Sequence, residues 1–409
     1  MTAVVPLWAA ASQGGVKVTP GDLSASEVAH YAIDELGITG APRLQPPSEI
    51  LSDKLMVSTG DLLVSRLNPR RGHIFRVTPH DVPALASGEF AVVRPNSRMD
   101  KRFVWYVLNS QRTRTLLDEQ VRSVTKSHGR VEFDAIWKLP MPVPPVGVQR
   151  RIADYLDTET ARIDVLRNKN ERAAALVQER LAANVSSSFG GAVRETDAGV
   201  PVGIEGITCA PLYSVAEVQS GLTLNAANEV DGAPSWAYLR VANVQDGHLA
   251  LDTIKTVNVP RDTAARHLLR PGDVLMTEGG DPDKLGRGTV FRGEVQNCLH
   301  QNHVFAVRPD PSRLLPDYLA LATRSPYGRM YFEKTSSKTT GIASTSATKI
   351  GAWRVPLPTL EAQQAVVETI HKATDLTSST LARLGEQAEL LRERHQALIT
   401  AAVTGEIEV

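Results

Sequence analysis

The stretch Trp137-Lys138-Leu139-Pro140-Met141-Pro142 leads into a proline-free amphipathic segment starting near Gln149, and Trp353-Arg354-Val355-Pro356-Leu357-Pro358 leads into another starting near Gln363. A hydrophobic run broken by prolines, followed each time by a long helix pattern, marks an internal duplication. The offset of 214 residues between Gln149 and Gln363 also pairs Leu176 with Leu390, Glu179 with Glu393 and Arg180 with Arg394, and it pairs Arg94-Pro95 with Arg308-Pro309. A period this long is not a solenoid repeat. It describes two similar domains, each followed by its own helix.

Upstream the copies have drifted but remain traceable. Pro6-Leu7-Trp8 matches Pro211-Leu212-Tyr213, Gly60-Asp61-Leu62-Leu63 matches Gly272-Asp273-Val274-Leu275, and Phe90-Ala91-Val92-Val93-Arg94-Pro95 matches Val304-Phe305-Ala306-Val307-Arg308-Pro309. Framework residues agree while the segments between them differ, the pattern of one scaffold carrying two sets of recognition loops. Short apolar runs at residues 62–65, 73–77, 90–93, 237–241, 274–277 and 304–307, separated by Gly, Pro, Asn and Asp, predict strands. Shorter helices are expected at 101–109 and 316–323.

After each proline block, which cannot sit inside a helix but readily precedes one, apolar positions recur three and four apart. The first seam runs through Ile152, Leu156, Ile163, Leu166, Asn170, Ala173, Val177 and Leu181. The second runs through Val367, Ile370, Thr374, Thr377, Leu381, Leu384, Ala388, Leu391, His395 and Leu398. These are coiled-coil-like seams. Each is interrupted by polar residues, so each helix needs the other, and Asn170 is placed to fix their register. Ser186-Ser187-Ser188-Phe189-Gly190-Gly191 ends the first helix. The expected fold is α+β: two β-rich domains separated by two long antiparallel coiled-coil-like helices, as a pseudo-two-fold internal repeat. Residues 1–145 form the first domain, 146–188 the first helical spacer, 189–357 the second domain and 358–409 the second spacer.

With 409 residues and ordinary hydrophobic content, the chain has enough material for two cores. Two cysteines, Cys209 and Cys298, are too few for a disulfide framework. With no leader-like start and no apolar run long enough to span a bilayer, a cytoplasmic protein without membrane contact is expected. The 45 basic residues balance 45 acidic ones, so whole-chain charge gives no nucleic-acid signal. Locally, Arg98, Lys101, Arg102, Arg112, Arg114, Arg122 and Lys126 meet only Asp100, Asp118 and Glu119.

Several loops carry the chemistry of nucleic-acid contact. Glu278-Gly279-Gly280-Asp281-Pro282-Asp283-Lys284-Leu285-Gly286-Arg287-Gly288 offers flexible backbone with Lys284 and Arg287, suited to a phosphate chain or a base edge. Gly286-Arg287-Gly288 is no dinucleotide fingerprint, because Phe291 replaces the third glycine and no helix pattern follows. Cys298-Leu299-His300-Gln301-Asn302-His303 lacks standard metal-ligand spacing. Its Gln301, Asn302 and His303 suit hydrogen bonding to bases, since Gln and Asn amides can pair with adenine edges. In the first domain, Ser65, Arg66, Asn68, Arg70 and Arg71 leave a strand, and Lys126, His128 and Arg130 lie in a second basic loop. Lys334, Ser336 and Lys338 form the counterpart in the second domain. Solvated surface loops would have the same composition, but the recurrence in both copies favours function.

Catalytic motifs are missing: there is no G-x-x-x-x-G-K-[ST], no H-E-x-x-H, no G-x-S-x-G and no Asn/Asp-Pro-Pro-aromatic motif. The chain reads as a binding and scaffolding protein.

Taken together, these residues resemble the specificity (S, or HsdS) subunits of type I restriction-modification systems. The resemblance spans the chain. It is carried by Glu278 to Gly288 and His300-Gln301-Asn302-His303 in the second domain, and by His30-Tyr31-Ala32-Ile33-Asp34 and Ser65 to Pro69 in the first. The proline entries to Gln149 and Gln363, and Ala401-Ala402-Val403-Thr404-Gly405-Glu406-Ile407, are similar to the family's repeated helical regions. The resemblance implies a non-catalytic subunit whose two target-recognition domains each read half of a bipartite double-stranded DNA site. It implies two docked methyltransferase (M) subunits and motor-nuclease (R) subunits, with Gln149, Arg180, Gln363 and Arg394 expected at partner contacts. S-adenosylmethionine, ATP and magnesium would belong to those partners, leaving no catalytic residue, cofactor or metal on this chain. A coiled-coil adaptor without a DNA role and a single-chain DNA methyltransferase are the alternatives.

Overall fold

The computed structural model describes residues 3–121, 129–225, 229–280, 285–286, 288–339 and 342–409. The chain divides into two compact units, Met1–Arg172 with Leu384–Val409, and Ala173–Arg383. Each unit is built on the same plan.

In the first unit a four-stranded sheet has the order Ala11–Gln13, Phe90–Pro95, Leu62–Ser65, Ile74–Arg76. A five-stranded sheet has the order Val16–Val18, Lys54–Val57, Ala84–Ala86, Val28–Tyr31, Arg43–Gln45, with Val28–Tyr31 and Ala84–Ala86 parallel. In the second unit the four-stranded sheet runs Ala216–Ser220, Val304–Pro309, Val274–Thr277, Gly288–Val290. Beside it lie Lys255–Asn258, Ser235–Leu239 and Cys298–His300, again with one parallel pair.

Strand residues alternate between faces, and the duplicated central strands use this to feed two cores. Leu62, Val64, Ala91 and Val93 enter one cluster with the helices, while Leu63, Phe90 and Val92 enter another with the second sheet. Val274, Met276, Phe305 and Val307 against Leu275, Val304 and Ala306 repeat that division. Burial on both faces explains why these runs are continuously apolar.

The two drifted motif pairs meet in space. Asp61, buried, accepts from Arg94 Nε and Nη2 at 2.8 Å each, and its Oδ2 also accepts the Ser58 amide at 3.0 Å. Asp273 accepts from Arg308 Nε at 2.7 Å and Nη2 at 2.8 Å, and from the Arg270 amide at 2.8 Å. The Gly-Asp turn and the Arg-Pro strand end are the two halves of one bidentate clamp.

The proline blocks differ from the sequence alignment in register. Ala3–Pro6 pairs with Pro140–Val143, placing Pro6 opposite Pro140, and the Leu7 amide donates to Leu139 O. Cys209–Pro211 pairs with Arg354–Pro356, placing Pro211 opposite Arg354, and the Leu212 amide donates to Trp353 O. Trp353, fully buried, therefore stands where Leu139 stands, and Trp137 is not its equivalent. The offset between Gln149 and Gln363 already holds here, and matching tryptophan to tryptophan slips the register by two residues.

The long helices are Val146–Ser188 and Leu360–Thr404. At 1.5 Å per residue each is a rod of about 65 Å. Ile152, Ala153 and Leu156 share a core with Ile399, Ala402 and Val403, whereas Val185 shares one with Val367 and Ile370. That pattern makes the helices antiparallel. Asn170, buried, donates from Nδ2 to Leu384 O at 2.8 Å, and Leu384 is the residue that the repeat assigns to Asn170 itself. Leu166 leaves the expected seam: it and Val165 are exposed, and the buried line passes from Ile163 to Asn170, one heptad on. Gly405 follows the second helix at φ +78°, the left-handed conformation that lets the chain turn away from a helix end.

Each helix is anchored at its first turns by a fully buried glutamine. Gln149 accepts the Asp100 amide at 2.8 Å and donates to Pro144 O at 2.8 Å and Arg98 O at 3.1 Å. Gln363 accepts the Leu315 amide at 2.9 Å and donates to Arg313 O at 2.9 Å and Pro358 O at 3.0 Å. Replacing either by Leu leaves backbone groups buried without partners, at a cost of about 1–3 kcal/mol per group. Gln149→Leu and Gln363→Leu should each lower the denaturation midpoint in urea. Trp353 fluorescence should report the second substitution far more than the first.

Candidate nucleic-acid interface

In the first unit, the two basic loops singled out from sequence are stitched together. The Asn68 amide donates to Gly129 O at 2.7 Å, the Val131 amide donates to Arg66 O at 3.0 Å, and Leu67 bridges Arg130. Asn68 takes a left-handed φ of 47°, and its side-chain oxygen accepts the Gly129 amide at 3.2 Å. Arg66 is held inward: Nε donates to Val131 O at 2.9 Å, and the guanidinium lies 4.1 Å from the centre of the Phe133 ring. Ser65, buried, exchanges hydrogen bonds with Leu67 across the turn. Arg130 is half-exposed and pairs with Glu89 at 2.6 Å. Arg71 is exposed at the end of the 3-10 turn Pro69–Arg71 that contains Arg70. Lys126 and His128 lie outside the described residues, as does the side chain of Arg70. The loop thus offers Arg71, Arg130 and the Asn68 turn outward, while Ser65 and Arg66 build it.

Some of the basic residues in this unit are held by the framework. Arg94 is clamped to Asp61, and Arg102 reaches Asp154 at 2.8 Å and Asp157 at 2.7 Å on the long helix. Arg114 packs beneath Gly72, where burial lowers the guanidinium's pKa. Arg98, Lys101 and Arg112 stay exposed.

In the second unit three sequence-selected segments converge. The Glu278 amide donates to His303 O at 2.8 Å, and the side chains of Glu278 and His303 pair. Gly279–Gly280 pairs with Ile342–Ser344, which pairs in turn with Ser337–Thr339, so the glycine loop and the 334–339 segment share one small sheet. Gln301 and Asn302 are half-buried at the end of Cys298–His300. The Val241 amide donates to Gln301 Oε1 at 3.3 Å, and Asn302 Nδ2 lies 3.5 Å from His303 Nε2. Gly221 makes this loop possible, because a Cβ there would stand 2.2 Å from Gln301 O. Lys334 is exposed, and Ser336 donates to Glu333 O at 2.8 Å. Lys284 and Arg287 lie outside the described residues, and so does the side chain of Lys338. Glu89, Phe133 and Glu278 hold these loops yet were not assigned from sequence, because their partners are distant in the chain.

The cysteine-histidine segment has other employment. His300, fully buried, uses Nδ1 to donate to Val304 O at 2.6 Å, and Cys298 is a buried thiol that burial pushes up to about 12. Among the described residues no group of three or more His, Cys, Asp or Glu could hold a metal, and no helix is long and apolar enough to cross a membrane.

Gln149 and Gln363 differ from expectation. Expected at partner contacts, they lie inside their own units, because an amide with three backbone partners is worth more buried than exposed. Arg180 and Arg394 are exposed.

The family model of the type I restriction modification DNA specificity domain matches residues 50–174. The chain is 21% identical over 376 residues to the type I restriction enzyme EcoKI specificity subunit of Escherichia coli (strain K12), covering 88% of this chain and 78% of that protein. A chain solved in work on complex assembly and conformational transition of the type I R-M system superposes with a TM-score of 0.75 at 18% identity, covering 99% of this chain and 98% of that one. The HsdS subunit from Thermoanaerobacter tengcongensis gives a TM-score of 0.56 at 18% identity, with 99% and 97% covered. Residues 50–174 thus carry the signature of a type I DNA specificity domain, and the chain shares its fold with type I specificity-subunit structures. The relatives it resembles are named specificity subunits, not methyltransferases or nucleases.

Burial of His300 lowers its pKa to about 4. The unfolded chain takes up this proton near pH 6.5 and the folded chain only near 4, so stability from the neutral ring is full above 6.5 and is lost as pH falls toward 4. The difference amounts to about 3 kcal/mol. Urea titrations should show the advantage of the wild type over His300→Gln shrinking by about that amount from pH 7 to pH 4.

Proposed function

We propose that the chain reads a bipartite double-stranded DNA target, one half through residues 1–145 and the other through 189–357, with 146–188 and 358–409 as spacers. The contacting groups are those of the two loop systems: Asn68, Arg70, Arg71, Lys126, His128 and Arg130 in the first, and Lys284, Arg287, Gln301, Asn302, His303, Lys334, Ser336 and Lys338 in the second. The same chain scaffolds two methyltransferase (M) subunits, joined by motor-nuclease (R) subunits. S-adenosylmethionine, ATP and magnesium act on those partners, and the complex works in the cytoplasm, where DNA is available to it.

One observation carries the scaffold reading. Leu176, Glu179 and Arg180 are all exposed on the first long helix, and their repeat equivalents Leu390, Glu393 and Arg394 are all exposed on the second. Spacings of three and four put each trio on one helical face. Leu176 is 54% and Leu390 59% exposed, and an apolar side chain kept outward at both copies of one position supports two identical partner surfaces on one chain. Leu176→Asp and Leu390→Asp should each reduce bound M subunits from two to one in native mass spectrometry, and the double variant should bind none. Two subunits retained by the double variant would refute this surface.

The division of labour between the domains has its own test. Gln301→Ala with Asn302→Ala should cost about 1–3 kcal/mol of discrimination per lost bidentate base contact. The loss should fall on one half-site only. Competition binding of the assembled complex against single-base variants of both halves measures it, and equal losses in both halves would count against separate reading.

A further inference from the structure

Arg114 carries a charge that the first unit does not neutralise. Its helix, Gln111–Asp118, packs on the turn Pro69–Arg71 at the edge of the first loop system. The guanidinium lies against Gly72, where a Cβ would stand 2.3 Å from Arg114 Cζ and Nε. Only glycine, here at a left-handed φ of 62°, admits it. Arg114 is half-buried, and its Nε is shielded from solvent without a hydrogen-bond partner. Burial lowers its pKa, with no neighbouring anion to raise it. Among the described residues no carboxylate pairs with it, and Asp118, one turn along the helix, is exposed. Around it lie cations and histidines: Arg71 and Arg114 both act on His73, and Arg114 also acts on His395. Asp34 and Asp164 reach those histidines but not Arg114.

The second unit holds the same arginine differently. Ser110 and Ser325 cap equivalent helices, and the amides of Arg114 and Arg329 donate to their carbonyls at 3.1 and 2.9 Å, so Arg329 is the counterpart of Arg114. Gly286, at φ +69°, is the counterpart of Gly72, because the ladders make Gly288 the equivalent of Ile74. There the Phe332 ring fills the space beneath the glycine. Arg329 turns to a carboxylate: its Nη2 donates to Asp246 Oδ2 at 3.3 Å, and Asp246 also pairs with Arg324 at 2.7 Å. One unit gives this arginine an internal anion. The other packs it beneath a loop without one, an arrangement that costs stability until an anion arrives.

We propose that Arg114, with the exposed Arg71 beside it, binds a backbone phosphate of DNA at the loop Asn68–Gly72 and so fixes the first unit's position on the duplex without reading a base. This rests on the reading that the loop faces DNA. A phosphate oxyanion supplies the charge that the site lacks, and a guanidinium can meet it with two parallel N–H donors. Contacts of this kind set register and orientation, whereas base contacts carry sequence.

Stability and salt dependence together test the site. Arg114→Met keeps an unbranched side chain and removes the charge, so the full chain without DNA should unfold at higher urea than the wild type. An arginine that serves only the framework would give a lower midpoint. On duplex DNA carrying the motif found methylated in cells with this chain, the assembled complex with Arg114→Met should show a slope of log affinity against log salt shallower by about 0.9, the contribution of one phosphate. Its preference among single-base variants should not change, and Arg114→Lys should keep most of the slope. Arg71→Gln separates this site from the wider reading. A shallower slope for Arg71→Gln with an unchanged one for Arg114→Met overturns the phosphate site and leaves the loop on DNA, whereas unchanged slopes for both overturn both. Altered base preference in Arg114→Met also overturns the proposal, since Arg114 would then read a base. Inorganic phosphate is the last arm: if it raises the urea midpoint of the wild type but not of Arg114→Met while their DNA slopes agree, the occupant is a free anion and the proposal fails.

Discussion

The orientation of each long helix rests on a glutamine amide that has no access to water. A buried amide without partners costs several kcal/mol, so Gln149 and Gln363 must find all their hydrogen bonds inside, and they find them on the proline block behind the helix and on the loop before the short packing helix. Three backbone groups converging on one planar amide admit one geometry. The leverage is large: on a rod of about 60 Å, an error of about 10° at the root would displace the far end by about 10 Å. A neutral amide achieves this without the desolvation penalty of a buried charge.

The next constraint is the Asp61–Arg94 clamp and its copy Asp273–Arg308. Each ties the tight turn before one central strand to the end of its neighbour, so the sheet register is fixed where both faces are already buried. Slipping the strand by one residue would send Leu63 to the wrong core and separate Asp61 from Arg94. Arg94, Arg102 and Arg114 are bound to the framework, while Arg98, Lys101 and Arg112 stay exposed.

What the sequence made legible follows from what the repeat preserves. Strands at Leu62–Ser65 and Val274–Thr277 and the helix Lys101–Asn109 have the bounds that their apolar pattern and turn residues indicated. Gln149 and Gln363 stood out because a polar residue recurred at one offset, but nothing in one dimension says whether such a residue faces a partner or a core; burial decides, and it placed them inside. The tryptophan match misled because side-chain identity is a weaker guide than ladder register when two residues of slack are available. Leu166 was assigned to the seam by spacing, yet an isolated two-helix contact buries a narrower stripe than the spacing allows. The loop partners Glu89, Phe133 and Glu278 were out of reach, since their pairings join residues 25 to 67 apart in the chain.

The same duplication that makes the framework rigid frees the loops to diverge, and the two surfaces have diverged in kind. The first unit builds its loop by stacking Arg66 on Phe133 and leaves Arg71, Arg130 and a left-handed Asn68 at the edge. The second threads two glycines into a small sheet and gathers Gln301, Asn302 and His303 beside it. Guanidinium groups match the paired acceptors of guanine, whereas side-chain amides match the donor and acceptor of adenine. If each unit reads one half-site, the halves should differ in composition because the donor sets differ. A single scaffold present twice can then define an asymmetric target without any change to the helices that join its copies.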